Sequence, residues 1–323
     1  MFRKATVATI FSFFALGVSG SALAQAYPEH PIKVIVPYPA GGGTDVLLRI
    51  VTREMSKTLG QPIIVMNRPG AGGKIGMNAA KQEKPDGYTM AVSSTSTMAV
   101  YPVIDAKLTY DPIKDFTQIG VMAITPGVLV ANKDFPADSI KDTNKLLLAD
   151  PAKYMIASGT PTTYLATELY KQMLGANVEV ISYSGSPPIM LDLIPGRVHL
   201  TFMIAGAAIP DIKKGTVKPI AVTWKEPMTQ LPGVGTMQEV GMGDVDASTW
   251  LALAFPKGVS EDKVKKVNAA MNQALKDPSV IEQLEALGFF VEGGSPEWAD
   301  KRVEDGLARW SKVYKDAGSP PLM

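Results

Sequence analysis

Cysteine is absent from the 323 residues. With it go thiol nucleophiles, thiolate metal ligands, disulfides and the lipid-bearing cysteine that tethers some exported proteins to a membrane. Histidine is almost absent too: His30 and His199 are the only two, too few for a histidine-built zinc site. Net charge is small. The formal total is +1, and without Arg3 and Lys4 of the leader the remainder stands near −1, so nothing marks a nucleic-acid partner.

What is present begins with a secretory leader. Met1, Phe2, Arg3 and Lys4 precede an apolar run over 5–18, and small residues close it at Ala22-Leu23-Ala24 and Ala24-Gln25-Ala26. This is the order of a cleaved signal peptide over 1–26, with the mature chain starting at Gln25 or Tyr27. The run is shorter than the roughly 20 apolar residues that span a bilayer, so export to the periplasm without membrane insertion is expected. The roughly 300 residues that follow exceed one compact core, and two domains are expected.

Short β-branched apolar runs alternate with segments of helical period, the pattern of βα units around largely parallel sheets. Strands are predicted at 32–38, 63–66, 89–94, 154–157, 178–183, 198–204 and 217–224, with helices at 45–59 and 75–82. Two long apolar stretches, 119–131 and 248–255, read as strands crossing between two lobes. From 260 onward the chain reads as helical, with Val264, Val267, Met271 and Leu275 on one face and Trp298, Val303, Leu307, Trp310 and Tyr314 on another. Lobe 1 is therefore expected over 27–125 plus 247–323 and lobe 2 over 126–246. The α/β chain would be a two-lobed, Venus-flytrap binding protein with two crossovers at its hinge.

Ligands of open α/β sheets sit beyond the carboxyl ends of strands, at helix N-termini. Three turns qualify. Pro39-Ala40-Gly41-Gly42-Gly43-Thr44-Asp45 offers uncovered N–H groups at a positive helix end, with Thr44 or Asp45 as its cap. Asp45 is assigned a structural role, because an acid competes with a bound anion. Ser158-Gly159-Thr160-Pro161 and Ser184-Gly185-Ser186-Pro187 repeat one scheme of strand, turn, cap and helix, with Thr160 and Ser186 at the N-caps and prolines at the first helical position. N–H groups of Thr162 and Thr163 then point into the cleft. Ser93, Ser94 and Thr95, in the hydroxyl run 93–96, add a further strand end from the first lobe. Tyr38 and Trp250 are aromatic candidates for the cleft wall, against the ordinary reading of a strand aromatic as core. The Gly70-Ala71-Gly72-Gly73 turn reads as a tight connection before a helix.

Enzyme motifs do not fit. A phosphate-binding Walker loop requires Lys followed by Ser or Thr, whereas Lys74 is followed by Ile75. Neither GxGxxG nor GxSxG occurs in a strand-turn-helix context. A Ser-His-Asp triad would need His199, which sits at an alternating strand position. No catalytic residue, metal or cofactor is expected.

At these residues the chain resembles the Bug or TctC-like extracytoplasmic receptors of tripartite tricarboxylate transporters. The resemblance rests on Tyr27-Pro28, the run from Val36 through Asp45, Gly60-Gln61-Pro62, Asn67-Arg68-Pro69-Gly70-Ala71-Gly72-Gly73, Pro85-Asp86-Gly87-Tyr88-Thr89, and Tyr110-Asp111-Pro112 with Lys114-Asp115-Phe116. It implies a monomeric flytrap that holds an organic acid and serves a transporter of one large and one small membrane subunit, driven by an ion gradient. Carried over, it places contacts at Gly41, Gly42, Gly43 and Thr44; at Ser93, Ser94 and Thr95; at Ser158, Gly159, Thr160, Thr162, Thr163 and Tyr164; at Tyr183, Ser184 and Gly185; and at Met203. Tyr164 stands where relatives carry His, Tyr183-Ser184-Gly185 where they carry Tyr-Lys-Gly, His199 for an Asp and Met203 for another. The expected ligand therefore bears a carboxylate at one end and an apolar, aromatic or neutral group at the other. A periplasmic sensor and a cleft enzyme are the alternatives.

Overall fold

The computed structural model describes residues 27–316 and 318; the expected leader lies outside the described residues. In chain order the elements are β1 (Ile32–Val36), α1 (Gly43–Leu59), β2 (Ile63–Asn67), α2 (Lys74–Lys81), β3 (Thr89–Ser94), α3 (Tyr101–Ile104), β4 (Phe116–Thr125), β5 (Gly127–Asn132), α4 (Ile140–Ala149), β6 (Met155–Ser158), α5 (Pro161–Leu174), β7 (Glu179–Ser182), α6 (Ser186–Leu193), β8 (Leu200–Ile204), α7 (Ala205–Lys213), β9 (Val217–Val222), β10 (Thr249–Pro256), α8 (Glu261–Ala274), α9 (Pro278–Ala286), β11 (Phe290–Gly293) and α10 (Pro296–Asp316). The strands form two sheets, one per lobe, ordered β11-β4-β10-β3-β1-β2 and β7-β6-β8-β5-β9.

Helix α1 shows how local sequence sets an element. Leu47, Val51 and Met55 recur every four residues, and all are fully buried with Leu48, each worth about 1.5–3 kcal/mol of transfer free energy. The helix stops at Gly60, whose φ of 70° is the left-handed cap conformation and whose N–H donates to the Ser56 carbonyl.

Three expectations are corrected. The sheets are mixed: β1 runs parallel to β2 and β3, and β6 to β7 and β8, but β4, β5, β9, β10 and β11 pair antiparallel. Local pattern reports that a strand is buried, and its partner's direction follows from which segments leave and re-enter a lobe. The stretch 119–131 is two strands, broken at Pro126, which has no N–H for a ladder; its carbonyl accepts the N–H of Ala205 at 2.8 Å. The C-terminal part is not wholly helical, since β11 pairs with β4 at the sheet edge. Phe290-Val291-Glu292-Gly293 does not alternate apolar and polar residues, so it carries no strand period.

The crossings lie side by side. Thr223 donates its N–H to the Gly127 carbonyl at 2.8 Å, and its hydroxyl accepts the N–H of Ala247 at 3.0 Å. A Cβ at Gly127 would lie 2.5 Å from both Ala247 and Thr223, so only glycine admits that approach. Helix α10 adds a third link: Ala299 and Val303 pack with Phe116 and Val121 beside the first sheet, while Trp310 is 2% exposed within the cluster that holds Leu165 and Leu169 of α5.

Candidate functional site

Four helices, α1, α5, α6 and α7, begin at the seam between the lobes, and the lobes touch there. Ser96 and Thr162 share a hydrogen bond at 2.8 Å across the seam. A Cβ at Gly43 would meet Gly206 and Ala207 backbone atoms at 3.0 Å, and one at Gly185 would meet Pro39 at 2.9 Å. Between them lies an inner chamber of about 50 Å3 lined by Tyr38, Gly42, Gly43, Thr44, Ser94, Gly159, Thr160, Thr162, Thr163, Gly185 and Met203 among the expected residues. Ser158, Tyr164, Tyr183 and Ser184 line an outer chamber of about 280 Å3, which shares Gly159 and Thr160 with the inner one.

The local chemistry explains which donors remain. The first N–H groups of a helix have no carbonyl one turn earlier to pair with, which leaves those of Gly43 and Thr44 at α1. At α5 the Thr160 hydroxyl accepts the Thr163 N–H at 3.2 Å, and the Thr163 hydroxyl accepts the Thr160 N–H at 3.1 Å. This reciprocal cap consumes Thr163, and Pro161 has no N–H, so Thr162 supplies the α5 donor. At α6 the N-cap is Gly185, not Ser186 as expected: Gly185 adopts φ 151°, and the helix starts one residue earlier. Pro187 and Pro188 then leave Ser186 as the sole N–H of that first turn. No lining side chain of the inner chamber is acidic or basic. Partial charges at helix ends, not ions, set its field.

Asp45 is not the α1 cap. That position falls to Gly42, whose extended backbone leads into the helix, and Asp45 is the third helical residue. Its carboxylate accepts the N–H of Gly41 at 3.0 Å, Nε of Arg49 at 2.9 Å and Nδ2 of Asn67 at 3.0 Å. Burial raises its pKa, but these bonds and the Arg49 charge outweigh that and hold it below the usual carboxylate range. Asp45 thus fixes the glycine turn from behind, with its charge compensated before it reaches the cleft.

Gly41, Ser93 and Thr95 fall outside both chambers. Gly41 has given its N–H to Asp45. The other two face away: Ser94, the last residue of β3, and Ser96, in the helical turn that follows, face the cleft, while Ser93 donates to Gln118 at 2.8 Å and the Thr95 hydroxyl accepts the Trp250 N–H at 3.0 Å on the far side. Trp250 likewise faces away, between Thr249 and Leu251, which line the inner chamber. The sequence reading also missed the apolar wall of Ile189, Phe202, Ile204 and Leu251, and the Ala71-Gly72 turn with Lys74 and Tyr101 in the outer chamber. His199 faces neither chamber; its Nδ1 accepts the Met155 N–H at 3.1 Å.

The phenols around the site stay neutral. Burial raises the Tyr38 pKa against hydrogen bonds with Ser94 and Ser96 that lower it. Burial, with Glu168 and Tyr314 nearby, pushes Tyr164 up to about 12. Tyr183 is raised by burial and by donating to Asp192 at 2.8 Å. The inner chamber therefore presents neutral N–H and O–H donors opposite an apolar wall.

Comparison with known proteins shows the family and the fold. The model of the tripartite tricarboxylate transporter family receptor matches residues 47–319. Protein BugT of Bordetella pertussis (strain Tohama I) is 33% identical over 322 residues, covering 99% of this chain and 98% of its own. Among solved structures, the periplasmic binding protein BugD superposes with a TM-score of 0.88 at 30% identity, over 92% of this chain and all of that one. An R. palustris protein solved with adipate gives 0.88 at 31% identity, with the same coverage. Among the described residues no helix is long and apolar enough to cross a membrane.

Proposed function

The chain belongs to the receptor family of tripartite tricarboxylate transporters, and from that premise we propose that it captures a small carboxylate-bearing solute in the periplasm. It hands the solute to a transporter of one large and one small integral membrane subunit. The observation that carries this reading is the convergence of three helix N-termini, those of α1, α5 and α6, on a chamber without a charged side chain. N–H groups of Gly43, Thr44, Thr162 and Ser186, with the hydroxyls of Tyr38, Ser94 and Thr160, receive the carboxylate. Gly42, Gly159 and Gly185 let backbone approach it, and Thr163 holds the α5 turn.

The opposite wall, Ile189, Phe202, Met203 and Leu251, favours an apolar, aromatic or neutral second end. The inner chamber, at about 50 Å3, is well below the roughly 150 Å3 that accepts a benzene ring. It takes the carboxylate and a few carbons, and a larger body extends past Thr160 toward Ser158, Tyr164, Tyr183 and Ser184. The inner-chamber hydroxyls pair with one another, Tyr38 with Ser94, Ser96 with Thr162 and Thr160 with Thr163, and not with a carboxylate or imidazole, which supports binding without turnover. We place lobe 1 at 27–125 with 247–323 and lobe 2 at 126–246, and read 1–26 as the leader that exports a monomer.

Titration calorimetry against a carboxylate panel tests the reading. Micromolar binding, about −8 kcal/mol, is expected for a monocarboxylate with an apolar or aromatic tail. Tight citrate binding with none for such acids would overturn it.

A further inference from the structure

The chain has four tryptophans. All four, Trp224, Trp250, Trp298 and Trp310, wall one cavity of about 190 Å3. Strand alternation locates it. Along β10, Thr249 and Leu251 face the ligand cleft while Trp250 faces the cavity, and just past the end of β3 the helical turn sends Thr95 to the cavity while Ser94 faces the cleft. The cavity thus lies behind the first sheet, one strand layer from the cleft. It also straddles the hinge, because Ile124 precedes the outward crossing and Trp224 and Ser248 flank the return. Trp224 stacks on Phe290 of β11, with ring centroids 6.4 Å apart and planes at 27°.

Its charges are already compensated. Arg302 pairs with Glu292 and Arg309 with Asp246, and their guanidiniums lie 4.9 Å and 5.4 Å from the ring centroids of Trp298 and Trp310. Asp305 pairs with Lys301 at 3.0 Å. Arg302 Nε and Glu292 Oε2 stay buried without a hydrogen-bond partner, the four indoles give an occupant its apolar surface, and the volume exceeds the roughly 150 Å3 of an apolar cavity that takes up benzene.

Rotation about a hinge that brings the cleft walls together parts the surfaces on its opposite face. The cavity is open here while Ser96 and Gly43 touch the other lobe. A molecule that fits only the open cavity binds the closed arrangement preferentially and shifts the equilibrium by that difference in affinity. We propose that the tryptophan cavity is a second binding site, for a small uncharged aromatic molecule, and that its occupancy favours closure of the lobes.

The probe is 5-fluoroindole, followed by fluorine NMR on the full mature chain. Because the protein has no cysteine, spin labels at K57C and E179C, exposed and on opposite lobes, report the interlobe distance. Saturable binding is expected, with the distance distribution moving to shorter values as the probe saturates. Ser248→Phe, which fills the cavity, should abolish probe binding and shorten the distances unaided. Trp298→Ala, at a 40% exposed helix position, should weaken the probe at least tenfold. No saturable binding, equal binding in Trp298→Ala, or binding with unchanged distances would each overturn the proposal.

Discussion

Gly43→Ala separates closure from folding. The substitution keeps the N–H that faces the cleft and adds one methyl group. Gly43 is the first residue of α1 and has a helical backbone, so alanine is favoured there intrinsically by up to about 1 kcal/mol. With the lobes together, however, the new Cβ would lie 2.9 Å from Ile204 Cδ1, 3.0 Å from the Ala207 nitrogen and 3.0 Å from the Gly206 carbonyl carbon. The Ile204 methyl can rotate aside, but the α7 backbone cannot, and the lobes must stay apart by a few tenths of an ångström. Overpacking of this kind costs about 1–3 kcal/mol, which at 1.4 kcal/mol per tenfold weakens solute binding roughly 5- to 150-fold. Gly43→Val, bulkier and β-branched, should abolish binding. Calorimetry with the carboxylate found in the panel gives the affinity, and scanning calorimetry of the ligand-free protein gives the melting temperature, expected unchanged or slightly raised. Unchanged affinity in the alanine variant would refute the closed geometry at Gly43. A marked fall in the ligand-free melting temperature would show that the residue serves lobe 1 alone.

Three further outcomes follow from the site and its supports. Asp45→Asn presents an amide to three donors and should lose about 1–3 kcal/mol in urea unfolding. The Asp45 carboxyl is held below its unfolded value, so its contribution is present above about pH 4 and is lost as pH falls through the folded pKa; stability curves of the two proteins that stay parallel in acid would refute this. Ser96→Ala and Thr162→Val should each weaken solute binding, and their double-mutant cycle should return about 0.5–1.5 kcal/mol of coupling; a coupling of zero would mean the hydroxyls do not meet in the bound form. Burial, with Lys153 second, lowers the His199 pKa. Between that value and about 6.5 the unfolded chain binds more protons, so stability falls as pH drops through this window. His199→Asn, which retains an acceptor for the Met155 N–H, should flatten that fall in pH-dependent melts.

Much of lobe construction is written locally. The apolar spacing of Leu47, Val51 and Met55 specifies α1, and Thr160-Pro161 specifies the start of α5. The glycine turn after β1 lies where a helix end meets the cleft, and the lack of cysteine and scarcity of histidine exclude whole classes of chemistry. Each of these depends on residues within about one helical turn of each other, so a linear reading reaches them. Where the cap choice was degenerate, as among Gly42, Thr44 and Asp45 or between Gly185 and Ser186, the sequence alone misassigned it.

Only the tertiary structure decided which hydroxyls share the cleft. Ser93, Ser94, Thr95 and Ser96 are chemically alike; the phase of β3 against β10 selects Ser94, and the helical turn that follows the strand brings Ser96 to the same side. It also brought Ser96 to Thr162, turned Trp250 away from the ligand, carried Trp310 of α10 into the cluster around α5, and gathered four tryptophans from three separate segments behind the hinge. Such pairings are set by the packing of remote segments and the direction in which each strand re-enters its sheet, and no local periodicity encodes either one.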